Sequence, residues 1–333
     1  MQTLIALFPR IWPQRRITWC ETSTGWLFLF LMVASSSTTA PFAKQLGTVF
    51  SPLSMLVLSE CMMLLFALLS FGSIPLIRNI WRMDRNTLVL AAIAGMLNGI
   101  IAPLLWFYGL ERTSVINAQL FGMTEMLFMI VFAVFFASQH LTRSHIIGGS
   151  IIIAGVVFVS LQGFTSSLTV SSGDIAIFLS GILFAVGGTI IATTLRKIDS
   201  ELIIVIRSAV AIFCFFLLSP FVPHPFRAEL AEFPLALLPV LFGYGFISRF
   251  LVIFSYYESI ERLPVATVSL LSTLTIAGSA LFAFVILGET VAWYQIVGAA
   301  LVITGSACVH HTRASTEASY VVHEYKGHHR YQG

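Results

Sequence analysis

Charge is what this sequence has least of. Asp, Glu, Lys and Arg together make up 10% of its 333 residues, against 57% hydrophobic residues and a mean hydropathy of +0.92. A soluble domain carries about 25% charged residues. Too few charges are present to cover a water-facing globule of this length, so a soluble two-domain protein is excluded and a bilayer is the fitting solvent. Cysteine is also scarce. Cys20, Cys61, Cys214 and Cys308 are scattered, three of them inside apolar runs, and their spacing excludes a disulfide framework or a zinc ribbon. The net charge of +3 comes from dispersed basic residues, which argues against a nucleic-acid partner. Gly148-Gly149 lies inside an apolar run and lacks the Lys-Ser/Thr of a phosphate loop. With no zinc motif and no nucleophile elbow either, neither a metal nor a cofactor nor an enzymatic activity is expected.

What is present is a series of long apolar runs. A spanning helix needs about 20 mostly apolar residues, and ten segments qualify: 24–43, 53–72, 87–109, 113–137, 144–162, 173–194, 202–220, 236–257, 263–287 and 291–310. The fold class is therefore all-α, a polytopic membrane protein with ten transmembrane helices. Residues 1–23 read as a retained basic cytoplasmic segment: the apolar patch Met1–Phe8 runs into Pro9, Arg10, Pro13, Arg15 and Arg16 without a cleavage site. Residues 311–333 read as a polar cytoplasmic tail, whose His323, His328 and His329 belong to a solvated segment rather than a metal site.

Positive charge sets the orientation. With both termini inside, the inner segments hold thirteen basic residues: Arg10, Arg15, Arg16, Arg78, Arg82, Arg85, Arg143, Arg196, Lys197, Arg262, Arg313, Lys326 and Arg330. The outer segments hold three, Lys44, Arg112 and Arg227. A missed or extra span would scramble this alternation.

Shifting the sequence by 150 residues aligns Glu111-Arg112 with Glu261-Arg262, Gly148 with Gly298 and Gly155 with Gly305 without a gap. The domains are thus a five-helix repeat over 24–162 and a second over 173–310. Because five is odd, the copies cross the membrane in opposite directions, the inverted-repeat design of many secondary transporters.

Each half ends on a long helix, a short turn and a Gly-spaced final span, the second through Leu287-Gly288-Glu289-Thr290 followed by Gly298 and Gly305. Together with Tyr108–Leu120 at the junction of spans three and four, these features resemble the drug/metabolite transporter superfamily, in particular proteins with two EamA-like domains. The resemblance covers about 24–310 and implies a secondary transporter that exports a small metabolite. The chain departs from the family pattern at Glu125 and Thr275, where a mid-span proline is usual. It departs again at Glu60, where span two often has arginine, and at the first-half turn Ser138-Gln139-His140, which lacks the acid.

Four ionisable residues fall within spans: Glu60, Glu125, Arg207 and Arg249. Each costs roughly 2.5–3.5 kcal/mol to insert, so such groups tend to face the bundle interior and to be paired. Two acids and two bases can neutralise one another, but which pairs with which is not readable. Glu125, at mid-span with only Thr124 beside it, is the candidate for proton coupling. Its alternative is a static ion pair. Arg249 can bind a carboxylate or phosphate bidentately, or serve as the partner of an acid. Arg207 either faces the cavity or snorkels to the inner headgroups, and Glu60 is weighed alike. Asn98 and Trp106, with Asn117 and Gln119, line a substrate path or make interhelical contacts. The expectation is a transporter moving a small metabolite, an amino acid or related zwitterion or anion, by alternating access, driven by protons or by exchange. Its expected partners are that small molecule and the lipid bilayer, and its setting a bacterial inner membrane. A non-transporting scaffold or sensor is the alternative, and the tail is short for one.

Overall fold

The structure, a computed structural model, describes residues 21–137, 143–162, 171–195, 198, 200–219, 225–263, 268 and 271–308. The readings placed on the N-terminal basic residues, on Ser138-Gln139-His140 and on the tail from His311 lie outside the described residues.

Ten apolar helical segments follow one another, and no strand occurs among the described residues. Helix α1 is Glu21–Ser37 continued by Thr39–Leu46, α2 is Pro52–Phe71, α3 is Arg85–Leu110, and α4 is Val115–Gly122 continued by Thr124–Ala137. Helix α5 is Arg143–Ser160, α6 is Ser172–Thr194 and α7 is Ser200–Leu218. Helix α8 runs through Leu238–Gly243, Tyr244–Leu251 and Val252–Arg262, α9 is Thr275–Leu287 and α10 is Trp293–Cys308. Six of these are long and apolar enough on their own to cross a bilayer. Large apolar side chains such as Phe30, Leu69, Phe213 and Phe242 stand exposed on the outside of the bundle, as lipid-facing residues do. The protein is a polytopic α-helical membrane protein.

Local chemistry sets the helix ends. Pro52 occupies the first turn of α2, where its missing N–H costs nothing. Asp84 caps α3 by accepting from the Thr87 amide and hydroxyl, and these bonds hold its carboxyl below the usual range, the hydroxyl bond foremost. Ser171 and Asp174 form a reciprocal capping box at the start of α6. Gly288, at φ +68°, closes α9 in a left-handed conformation that other residues adopt at a cost.

The packing has an internal two-fold. Helix α1 lies against α8 and α9 as α6 lies against α3 and α4, while α2 meets α7 across the centre. Advancing every helix by five exchanges the α1 pairs with the α6 pairs and returns α2–α7 to itself. The glycines repeat the exchange: a Cβ on Gly155 would touch the Gly298 carbonyl at 3.0 Å, and one on Gly305 the Gly148 carbonyl at 2.6 Å. The Glu-Arg pair is also explained. Arg112 donates to the Tyr108 carbonyl at 2.9 Å and Arg262 to the Glu258 carbonyl at 2.8 Å, one turn back in each case. Gly173 at the start of α6 packs on Arg112, and Gly25 near the start of α1 packs on Arg262.

The connections α1–α2, α3–α4 and α9–α10 and the start of α6 meet at one face. Glu289 accepts from Lys44 Nζ at 2.6 Å and from the Val115 amide at 2.9 Å, and Lys44 also donates to the Thr113 carbonyl. Thr113 in turn donates to Asp174, and Gln295 donates to Asn117 at 2.8 Å. On the same face, burial pushes the Glu111 carboxyl above its usual range, against the pull of Arg112. Glu289→Ala strands a half-buried ammonium and a helix N-terminal amide. It is expected to lower stability by about 1–3 kcal/mol, read as an earlier thermal transition of purified protein in detergent; an unchanged transition would mean that water replaces Glu289.

Candidate functional site

Two helices are distorted where the halves meet, at positions the repeat relates. In α3 the turn Leu97–Ile101 is a π-helix, just before Pro103, whose missing N–H leaves the Gly99 carbonyl without its α-helical donor. In α8 the π-helical stretch is Tyr244–Leu251, and its last five residues are Leu97–Ile101 shifted by 150. Such distortions cluster at functional sites. Helix α1 is broken as well. Pro41 has no N–H for the Ser37 carbonyl, which accepts instead from the Ser279 hydroxyl at 3.0 Å. The break meets the α8 distortion where Thr38 and Ser248 share a 2.7 Å hydroxyl contact.

The α1 break and the α8 distortion border a cavity of about 310 Å³, whereas the π-turn of α3 does not line it. Its polar lining comes from Ser36 and Thr39 on α1, Gln119 and Glu125 on α4, Ser180 on α6, and Ser248 and Arg249 on α8. Trp106 of α3 and Phe184 of α6 supply aromatic surface. Of the six residues singled out from the sequence, Trp106, Glu125 and Arg249 line this cavity. The other three do not. Asn98 sits on the π-turn of α3 and packs its amide on Gly187 of α6, where a Cβ would fall within 2.9 Å of all three of its terminal atoms. Glu60 and Arg207 lie behind Arg249.

The charges do not neutralise one another as two separate pairs. Glu60, with a side chain 0% exposed, accepts from both arginines: Arg207 Nη2 at 3.2 Å and Arg249 Nη2 at 3.1 Å, both on Oε1. Its Oε2 accepts from the Ser208 hydroxyl at 2.6 Å. Among the described residues Glu125 makes no hydrogen bond or ion pair, although it faces the same cavity as Arg249. Helix α4 can present it there because Gly181 of α6 leaves room: a Cβ at Gly181 would lie 3.0 Å from the Thr124 hydroxyl and 3.2 Å from the Glu125 amide.

Sequence reasoning missed Ser208, Ser248, Gly95 and Gly99. The two glycines make space for Arg207, whose Cγ would lie 2.7 Å from a Cβ on Gly99. The repeat carried a signal for Ser248, since Asn98 shifted by 150 lands on it. Nothing local marks Ser208, one polar residue beside an arginine in an apolar run.

The geometry is that of a small cavity lined by one carboxylate and one guanidinium, beside the distorted stretch of α8 and the break in α1. Comparison with known proteins agrees. The profile of the EamA-like transporter family matches the chain twice, over residues 23–161 and 171–310. A protein of Methanothermobacter thermautotrophicus described as an uncharacterized transporter is 25% identical over 227 residues, 67% of this chain and 65% of its own length. A protein of known crystal structure, 17% identical, superposes with a TM-score of 0.53 over 86% of this chain and 96% of its own, a likeness of fold alone. Two family matches that together span most of the sequence, on a bundle with this internal two-fold, place the chain in the EamA-like transporter family.

Proposed function

We propose that the protein is a secondary transporter that moves a small zwitterionic metabolite of the amino-acid class by alternating access. The observation that carries this reading is the cavity itself, which is lined both by Glu125, without a partner among the described residues, and by Arg249. A guanidinium recognises a carboxylate through paired N–H donors. An unpaired carboxylate can take an ammonium group or a proton. A cavity of about 310 Å³ suits a molecule of that size. The two-fold between the halves supplies the switch, because exchanging their conformations moves the opening from one face to the other. The thirteen-to-three bias of basic residues supports both termini inside, and the family resemblance favours export, here from a bacterial cytoplasm.

The test is uptake and efflux of labelled amino acids in proteoliposomes, with and without a pH gradient, for wild type beside Glu125→Gln. The expected outcome is transport that a pH gradient accelerates in wild type and no longer accelerates in the variant. Transport indifferent to both the gradient and the substitution would make Glu125 structural and the carrier an exchanger or facilitator. If no zwitterion moves, the substrate class is wrong.

A further inference from the structure

The charged cluster behind the cavity is unbalanced, and the imbalance has a direction. One carboxylate, Glu60, faces two guanidiniums, leaving one positive charge uncompensated. Each arginine spends one terminal nitrogen on Glu60, and neither Nε has a partner among the described residues. Arg249 therefore makes a single-point contact in place of the two-point fork that a guanidinium forms with a well-placed carboxylate. The holdings of Glu60 are unequal. It sits wholly buried on α2, fastened to α7 by Ser208 at 2.6 Å and by Arg207 on both oxygens at 3.2 and 3.5 Å. To α8 it has one bond, 3.1 Å from Oε1 to Arg249. Arg249 lines the cavity, while Glu60 and Arg207 do not.

Building on the reading that Arg249 receives the substrate's carboxylate, we propose that Glu60 is an internal stand-in for that carboxylate. It holds Arg249 while the cavity is empty and gives it up to the incoming anion, and Arg207 with Ser208 keeps Glu60 neutralised when it does. The exchange balances charge within the cluster. Before binding, one buried acid is shared by two bases; after binding, two acids are matched to two bases, and Glu60 is not left alone in a low-dielectric interior. A molecule without an anionic group cannot make the exchange, so the cluster selects for one that carries it. Binding also breaks the one hydrogen bond that Glu60 of α2 makes to the π-helical stretch of α8. Arg207 is a positioning residue here: it sets how firmly Glu60 competes without touching the substrate.

Butyrate, a bare carboxylate of small size, is the probe, titrated against purified protein and followed by tryptophan fluorescence with chloride as control. Arg249→Gln is expected to abolish saturable butyrate binding. Glu60→Gln removes the competitor and is expected to tighten butyrate binding by about tenfold, whereas Arg207→Gln leaves Glu60 wholly to Arg249 and is expected to weaken it by about tenfold. Opposite signs from two substitutions in one cluster cannot arise from misfolding, which would weaken both. Equal affinities in wild type, Glu60→Gln and Arg207→Gln, with binding still lost in Arg249→Gln, would overturn the stand-in role and leave the cavity reading intact. Butyrate binding in Arg249→Gln equal to wild type would overturn the carboxylate reading of the cavity. No saturable binding to wild type or to Glu60→Gln would overturn both.

Discussion

Glu60→Ala is expected to destabilise the protein by about 3–5 kcal/mol, the range found when one partner of a buried ion cluster is deleted. The reason is the company Glu60 keeps. Its side chain is 0% exposed, and removing it strands Arg207 and Arg249 without the acid that both of them bond. The Ser208 hydroxyl loses its acceptor at the same stroke. Glu60→Gln keeps a carbonyl oxygen near both arginines and is expected to cost less. Adding Arg207→Ala to Glu60→Ala is expected to recover part of the loss, because one of the two stranded charges goes with it; a double-mutant cycle in detergent melts reads that coupling directly. A Glu60→Ala protein as stable as wild type would mean that water from the cavity reaches the arginines and does the work of the carboxylate.

Gly173→Val is expected to cost about 3 kcal/mol, at the upper end of overpacking effects. Helices α3 and α6 touch backbone to backbone there. A Cβ at Gly173 would lie 2.7 Å from the Gly109 carbonyl oxygen, 2.8 Å from the Arg112 carbonyl carbon and 2.9 Å from Arg112 Cβ. None of those atoms is the end of a flexible side chain, so the helices must separate. The contact also carries the Glu-Arg turn and the Thr113–Asp174 bond, and all three are expected to loosen together. Gly122→Ala on α4 is the control: a Cβ there meets nothing within 4 Å, so the melting transition should stay put. A Gly173→Val transition matching that of Gly122→Ala would show that α3 and α6 are not held at this distance in the membrane.

Much of the architecture was legible because a bilayer enforces it. Spans must be long, apolar and helical, so counting apolar runs located the helices, and the ungapped 150-residue shift exposed the duplication. The same shift points to less obvious features. Gly148, Gly155, Gly298 and Gly305 align in the repeat, and the structure packs them crosswise. The turn residue Met123 that interrupts α4 lands on Thr273, just ahead of α9. Breaks inside α1 and α3 were less legible. Pro41 and Pro103 are plain in the sequence, but membrane helices tolerate proline, and whether a helix breaks depends on what its neighbours offer the freed carbonyl.

The sequence by itself determined the kind of protein: a helical, twice-repeated membrane bundle with four charges inside it, because those properties rest on composition and periodicity along one chain. Only the tertiary structure decided what the four charges do. Glu60 and Glu125 look alike as isolated acids in apolar runs. One lies opposite the arginines of α7 and α8 and takes both, while the other faces the cavity with no partner among the described residues. That difference comes from the relative rotation of helices some 150 residues apart in sequence. It is set by where glycines such as Gly99 and Gly181 let backbones close in, and a contact between two helices is a property of their surfaces that neither sequence carries alone.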